Sequence, residues 1–323
     1  MKKQLTAVLL ILLSAIMVLA GCGNNEEDTS KEAKKEEQQT ADEAFPVTIK
    51  DATKKEVTID KKPERIVSLI PSNTEITYAV GAGKQVVGVT EWDNYPEDVK
   101  NKEKIGGLDF NSEKVIGLNP DLVLAHASGM AKAEQGLEQL RQAGINVVVV
   151  PDATSFDQVY KSISLIGKVT GHAEKAEKVA KDMQDKITAI EEKAANISEE
   201  EKKTVWVEVA PAPEIYTTGK GTFMHETLQK IGAKNAAADQ EGWVKFTEED
   251  AVLLNPDVIV ATYGFYVDNP VEQIKQRQAW QDVPAVKNDQ IYAVDADKFN
   301  RAGPRLVEGV EELAKLVYPD VFK

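Results

Sequence analysis

Aromatic residues are concentrated in segments that the sequence predicts to be loops between strands and helices. They are Trp92, Tyr95, Trp243, Tyr263, Phe265, Tyr266 and Phe299, although only 6% of all residues are aromatic. In open α/β sheets, ligands bind beyond the carboxyl ends of the strands, where such loops meet. Aromatic rings there can bury a large flat or apolar-faced ligand; the alternative is that some of them only cap the core.

His126 directly follows a predicted aliphatic strand and should lie at the same edge of the sheet. Two roles fit it equally well: a buried, hydrogen-bonded core residue or a ligand contact. His172 and His225 are far away in sequence and are expected on exposed helix surfaces. Because a bound zinc or manganese ion needs clustered ligands, these scattered histidines predict no metal site.

The sequence lacks the residue sets that are typical of common enzyme active sites. There is no Gly-x-Ser-x-Gly segment, and the single cysteine is Cys22. Residues 81–83 (Gly-Ala-Gly) lack the third glycine of a dinucleotide loop, and residues 219–222 (Gly-Lys-Gly-Thr) lack the upstream glycine of a phosphate loop. We therefore expect a binding protein without a cofactor, although such a fold could also support an enzyme.

A repeated segment indicates the fold that positions these residues. Residues 113–125 and 249–261 both contain Leu-Asn-Pro-Asp followed by aliphatic residues that end in Ala, with their prolines 136 positions apart. The proline should stop a helix, and the unbroken aliphatic run is typical of a parallel strand that is buried on both faces. Since this spacing is about the length of a domain, the sequence predicts an α/β protein with two Rossmann-like lobes and central parallel sheets.

Between the two copies lies a segment with helical spacing of apolar residues. It spans residues 156–198, with one turn signal at Thr170-Gly171 and a helix expected over about 173–195. We interpret it as a long rigid connector between an N-terminal lobe (residues 46–155) and a C-terminal lobe (residues 199–323).

The N-terminus predicts secretion and a lipid anchor. Residues 1–21 have a charged start, an apolar stretch and Leu-Ala-Gly before Cys22, which resembles a bacterial lipoprotein signal peptide. Residues 22–45 are mostly polar and predict a disordered tether. The expected location is the extracellular face of a cell membrane, to which lipidated Cys22 would tether the protein.

The overall charge excludes some partners. The formal net charge is −14 and becomes −16 once Lys2 and Lys3 leave with the signal peptide. Nucleic acids and anionic membrane surfaces attract basic proteins, so neither is expected to be bound by the body of the protein.

Several stretches resemble the helical-backbone solute-binding proteins, which are the extracytoplasmic receptors of ABC importers for vitamin B12, haem and ferric siderophores. These are residues 63–69 (Pro-Glu-Arg-Ile-Val-Ser-Leu), residues 71–75 (Pro-Ser-Asn-Thr-Glu) and the repeated Leu-Asn-Pro-Asp segments. Residues 92–96 (Trp-Asp-Asn-Tyr-Pro) and 297–305 are most similar to the cobalamin-binding members. The resemblance implies two lobes with the ligand in the cleft between them.

The resemblance also implies ligand contacts. They are Trp92, His126, Tyr216, Trp243, Asp297, Lys298, Phe299, Asn300 and Arg301, to which we add the loop residue Tyr266. Known cobalamin receptors tend to have an aromatic residue where this chain has His126, which could instead serve haem iron, cobalt or a corrin side chain. A ferric siderophore would favour clustered Arg and Lys, and only Arg301 and Arg305 form an obvious pair. Cobalamin is thus favoured over a siderophore, and haem ranks third.

An acidic residue in each lobe is a candidate docking contact. Glu113 and Glu249 each lie seven residues before the proline of their repeat copy. The resemblance implies that they dock onto arginines of a permease homodimer or pseudo-dimer, which works with ATPase subunits. The alternative is that both residues only complement the dipole of a helix.

Overall fold

The computed structural model describes residues 44–323. The predicted signal peptide, the lipidation of Cys22 and almost all of the predicted tether therefore lie outside the described residues. Within residues 44–323, no helix is long and apolar enough to cross a membrane.

The N-terminal lobe begins with a hairpin and continues as a parallel sheet. Its strands are β1 (Val47–Lys50), β2 (Glu56–Ile59), β3 (Ile66–Ser68), β4 (Val86–Val89), β5 (Glu103–Lys104), β6 (Leu122–His126) and β7 (Asn146–Val150). Its helices are α1 (Pro71–Ala79), α2 (Ser112–Gly117) and α3 (Met130–Gln142). Strands β1 and β2 pair in antiparallel fashion, and the other five form a parallel sheet in the order β5-β4-β3-β6-β7.

Two antiparallel helices follow, α4 (Phe156–Thr170) and α5 (Ala173–Ala194). Gly171 ends α4 with a left-handed backbone (φ 75°), which confirms the predicted turn. At Gly167 an added Cβ would lie only 2.2 Å from the Cβ of Ala176, so the two helices approach closely at this point. The 22 residues of α5 span about 33 Å at 1.5 Å per residue.

The C-terminal lobe has a second parallel sheet. Its strands are β8 (Thr204–Glu208), β9 (Ile215–Thr218), β10 (Lys234–Asn235), β11 (Trp243–Phe246), β12 (Val258–Ala261) and β13 (Ile291–Ala293). Its helices are α6 (Phe223–Lys230), α7 (Glu248–Leu253), α8 (Pro270–Lys275), α9 (Pro284–Lys287), α10 (Ala296–Asn300) and α11 (Leu306–Val317). The parallel strands have the order β10-β8-β12-β13, while β9 and β11 form a separate antiparallel ribbon. The predicted α/β fold with two lobes and parallel sheets is thus confirmed.

The repeated Leu-Asn-Pro-Asp segment has the same local structure in both lobes. Asn119 and Asn255 have left-handed backbones, with φ of 49° and 48°, directly after helices α2 and α7. The helix ends before each proline, as expected from the sequence, and asparagine can adopt the left-handed conformation that ends it. The aspartates that follow the prolines also match, since Asp121 accepts a hydrogen bond from Arg65 N (3.0 Å) and Asp257 from Thr204 N (2.8 Å). Each copy therefore fastens its strand to the neighbouring one.

A single hydrophobic core connects both lobes through the connector. One cluster of buried side chains includes Leu122 of β6, Ile163 of α4, Ile187 of α5 and Val260 of β12. Helix α4 contacts α1 of the first lobe, and α5 contacts α6 and α11 of the second. The connector is therefore a packed layer of the core.

At three places the structure differs from the local sequence pattern. Ser72 and Glu75 have the spacing of a capping box, but Ile70 is the N-cap of α1 and Pro71 its first residue. A proline is often found at a helix start, but the helix after Pro304 starts at Leu306. Trp243 lies on strand β11 and not in a loop.

Candidate functional site

An open cleft with a volume of about 200 Å³ lies between the two lobes. Its walls are formed by Ile70, Pro71, Ser72, His126, Ser128, Asp152, Ala153 and Thr154 of the first lobe and by Thr222, Phe223, Trp243, Asn300, Arg301 and Ala302 of the second. In the first lobe these residues follow the carboxyl ends of β3, β6 and β7, which are neighbours in the sheet. This is the edge at which parallel sheets bind ligands, as expected from the sequence.

His126 is the last residue of β6 and is half-buried in the cleft wall. Its Nδ1 accepts a hydrogen bond from the backbone N–H of Ser128 (3.3 Å) and lies 2.8 Å from the Ser128 hydroxyl. Burial lowers the pKa of His126, while nearby Asp152 partly opposes this shift. With Nδ1 engaged as an acceptor, the proton of the neutral ring lies on Nε2, which can donate to a ligand.

Trp243 and Tyr216 share one face of the β9–β11 ribbon. Trp243 is paired with Thr218, and Lys245 with Tyr216, so these four side chains point to the same side. Trp243 lines the cleft, and both aromatic rings are exposed. The ribbon thus exposes two aromatic rings on the face from which Trp243 lines the cleft.

A smaller apolar pocket lies beside the cleft in the first lobe. Leu69, Leu108, Phe110 and Ala133 contribute to its wall, and it shares Ile70 and His126 with the cleft. Trp92 lies over nearby Gly107, at which an added Cβ would come within 3.0 Å of the indole ring. Trp92 is half-exposed but does not line the cleft itself.

Arg301 lines the cleft and binds the opposite lobe. Its Nη1 donates to Glu75 Oε1 (2.9 Å) and to Asn94 Oδ1 (2.8 Å), and its Nη2 lies 2.7 Å from Asp297 Oδ1. Asp297 Oδ2 in turn accepts a hydrogen bond from Asn94 Nδ2 at 2.6 Å. The side chain of Arg301 is therefore held in place before any ligand arrives.

Arg305 completes this network. Its Nε and Nη2 donate to the two oxygens of Glu75, at 2.9 and 2.6 Å, and its guanidinium stacks on the Tyr95 ring at 4.1 Å. The Glu75 carboxylate is the strongest reason that the pKa of Arg305 is raised above its ordinary value. The Glu75 side chain is only 2% exposed, so its charge needs these two partners.

The other predicted contacts lie outside the cleft wall. Lys298 pairs with Glu308 and Glu312 of α11. Phe299 is 4% exposed and packs in the core, so its ring offers no surface to a ligand. Tyr266 is exposed in the loop after β12, where it packs edge-on against Phe265. Of the residues predicted from the sequence, the cleft thus brings together His126, Trp243, Asn300 and Arg301.

Sequence reasoning missed several polar residues of the site, namely Ser72, Ser128, Asp152, Thr154, Thr222 and Glu75. The hydroxyl residues carry no distinctive signal. Glu75 carries a sequence signal, because it is an acidic residue inside a helix whose first seven residues are all buried. A charge at such a position requires a partner, which could have pointed to the arginines near residue 301.

The candidate docking residues are equivalent in the two lobes. Glu113 is the second residue of α2 and Glu249 the second residue of α7, and both are exposed. The N-caps of these helices, Asn111 and Thr247, each accept a hydrogen bond from the backbone three residues later, at 2.9 and 3.1 Å. Because each helix already has an N-cap that binds one of its free N–H groups, neither glutamate is needed as the capping side chain.

Metal binding by side chains has no support in the described part of the chain. Residues 44–323 contain no group of three or more His, Cys, Asp or Glu side chains that could hold a metal ion.

The sequence matches the model of the periplasmic binding protein family over residues 66–298. The chain belongs to this family. The matched range includes both sheets and most of the cleft wall, so the family assignment covers the site as well as the fold. The resemblance stated from the sequence is confirmed.

Two relatives in the family illustrate the similarity. A protein of Bacillus subtilis described as an uncharacterized ABC transporter substrate-binding lipoprotein, YvrC, is 52% identical over 323 residues, which cover 100% of both chains. A cobalamin-binding protein of Halobacterium salinarum is 30% identical over 286 residues, covering 85% of this chain and 75% of its own. Both are described as binding or transport proteins and not as enzymes.

Solved structures in the family carry different ligand names. A possible iron-binding periplasmic protein of Staphylococcus epidermidis has a TM-score of 0.72 at 38% identity, covering 80% of this chain and 100% of its own. The vitamin B12-binding protein BtuF of Vibrio cholerae has a TM-score of 0.67 at 28% identity (79% and 96% covered). The haem-binding protein RhuT of Roseiflexus has a TM-score of 0.70 at 27% identity (80% and 99% covered).

Proposed function

We propose that this protein is the extracytoplasmic receptor of an ABC importer and that it binds cobalamin or a related corrinoid in the cleft between its lobes. The main support is the charge of the cleft. Among the described residues that line it, only Asp152 and Arg301 are charged, and Arg301 is already paired with Glu75 and Asp297. Such a cleft suits a large ligand without net charge.

The rest of the wall matches the chemistry of a corrinoid. A corrin ring has apolar faces and a rim of neutral amides. Trp243 and Phe223 can cover apolar surface, while Thr154, Thr222 and Asn300 offer neutral hydrogen-bonding groups. The half-buried His126 can add a donor through Nε2 to an amide oxygen.

The alternative ligands fit less well. A ferric siderophore is usually anionic and would favour unpaired cations, but Arg301 and Arg305 both bind Glu75. Haem carries two carboxylates, and the one Arg or Lys among the described residues of the cleft wall, Arg301, is already paired with Glu75 and Asp297.

A direct ligand screen tests the proposal. The soluble body from Phe45 onward can be titrated with cyanocobalamin, haemin and several ferric siderophores, with tryptophan fluorescence as the signal. We expect saturable quenching by cyanocobalamin at the lowest concentration. If a ferric siderophore binds tightly and cyanocobalamin does not bind, the proposed ligand is wrong and the ligand is a siderophore. The proposed receptor function would still hold.

The proposed role requires a location and partners. Lipidation of Cys22 would hold the receptor at the outer face of the cell membrane, and Glu113 and Glu249 would dock onto a two-fold permease that works with ATPase subunits. The equivalent, exposed positions of the two glutamates support this arrangement. Metabolic labelling with a fatty acid, compared between the parent and Cys22→Ala, tests the anchor.

A further inference from the structure

We propose that Glu75 determines the charge of the ligands that the cleft accepts: its buried carboxylate cancels the charge of Arg301 and Arg305, so that the site selects neutral ligands and rejects anionic ones. This inference rests on the proposed receptor function. It concerns a residue that does not line the cleft but acts through one that does.

The balance of charges carries the argument. Two guanidiniums and two carboxylates make up the network, with Arg301 and Arg305 facing Glu75 and Asp297. The sum is zero, although one guanidinium lines the cleft. Removing either carboxylate would give this network one net positive charge.

The burial of Glu75 makes it the more effective partner. Its side chain is 2% exposed, against 28% for that of Asp297. Interactions between buried charges are screened less by water and salt than those of exposed charges. Glu75 also binds both arginines directly, at 2.6–2.9 Å, while Asp297 lies 4.0 Å from Arg305.

The backbone between the two arginines also lies close to Glu75. Gly303 lies between them in sequence, and an added Cβ there would be 3.8 Å from Glu75 Oε2. The backbone at Gly303 thus passes close to the carboxylate. Glutamine has nearly the same shape but accepts through one oxygen only, so Glu75→Gln removes the charge and keeps part of these hydrogen bonds.

A matched pair of ligands provides the test. Cyanocobalamin and its derivative with one amide hydrolysed to a carboxylate differ by a single negative charge. Binding of both to the full-length protein in lipid nanodiscs can be measured by calorimetry. We expect the parent to prefer cyanocobalamin, and Glu75→Gln to shift the ratio of affinities on the order of tenfold toward the carboxylate.

Glu208→Gln is the matched control. Glu208 is fully buried and pairs with Arg277 at 2.7 Å, but neither residue lines the cleft. This variant makes the same charge change in a similar ion pair and should leave the ratio of affinities at the parent value. A shift of the same size in Glu208→Gln would overturn the inference, since it would show an effect of overall charge.

Two further measurements keep the outcome decisive. If Glu75→Gln does not fold, Asp297→Asn removes one counter-charge from the same arginines at a more exposed position, and a smaller shift in the same direction is expected. An unchanged ratio in a folded variant overturns the role of Glu75 while cobalamin binding stands. If the parent binds neither corrinoid, the proposed ligand is wrong. The same charge selection can then be measured as the ratio of the affinities for a neutral ferric trihydroxamate and an anionic ferric tricatecholate.

Discussion

Glu113 and Glu249 occupy the same position in the two lobes, the second residue of a six-residue helix. Each helix leads through Leu-Asn-Pro-Asp into a buried strand of its sheet. Since the scaffold around them is repeated, the two carboxylates form a pair related by the approximate symmetry of the lobes. A two-fold partner can therefore contact both in the same way.

The first prediction concerns this pair. Combined Glu113→Arg and Glu249→Arg should abolish uptake and stimulation of the transporter's ATPase, because like charges would face the arginines of the permease. Folding and ligand affinity should not change, since both side chains are exposed. Reversal of two other exposed residues, Glu177 and Glu192, is the control. Full transport by the docking variant would exclude these residues from the contact.

The second prediction concerns the aromatic wall. Trp243→Ala should weaken corrinoid binding about 5- to 150-fold, which corresponds to roughly 1–3 kcal/mol for a buried aromatic contact. Trp92→Ala should have a smaller effect, because Trp92 covers Gly107 and does not line the cleft. Calorimetry is the suitable measurement, since the variants remove the fluorescent residue. Two variants that bind like the parent would show that the site is wrongly placed.

The third prediction concerns stability. Arg305→Met should lower the free energy of unfolding by about 2 kcal/mol, because it leaves the buried Glu75 with one cationic partner in place of two. Lys100→Met is the control: Lys100 also pairs with a glutamate, Glu97, but both side chains are exposed, and little change is expected. Equal stability of the two variants in denaturant unfolding would contradict the assigned importance of the Glu75 pair.

The fourth prediction concerns pH. Burial lowers the pKa of folded His126 below that of an unfolded histidine, about 6.5. The unfolded chain therefore binds the proton more readily, and the contribution of His126 to stability is complete above that pH and decreases as the pH falls toward 5. The loss of stability between pH 7 and pH 5 should be smaller in His126→Gln than in the parent. An identical loss in both proteins would contradict the shift.

The elements around the repeat could be predicted because their signals are local. Aliphatic runs such as residues 122–125, helix-ending Asn-Pro pairs and the glycine turn at Gly171 depend on a few neighbouring residues. The start of α1 is misjudged for the same reason, because the pattern at residues 72–75 is also local. Ser72 and Glu75 have the spacing of a capping box, and only the distant Arg301 and Arg305 show that the carboxylate has another role.

The site was only partly predictable because it is assembled across the chain. Asn94 and Asp297, which are hydrogen-bonded, are 203 residues apart, and no local pattern connects them. His126 was found because it directly follows a predicted strand, and Trp243 because it is one of few aromatic residues and matches the family resemblance. Phe299 has an equally suggestive neighbourhood, but the packing of α10 turns its ring into the core.

The core that passes through α4 and α5 limits how this protein can be divided. Ile163 and Ile187 belong to one buried cluster with side chains of both sheets, so neither lobe contains all the contacts that it needs. A half-chain ending near residue 198 would expose an apolar helix face to water and tend to aggregate. Although the sequence retains traces of two copies, its halves have become mutually dependent, and we expect heat to melt them in one cooperative transition.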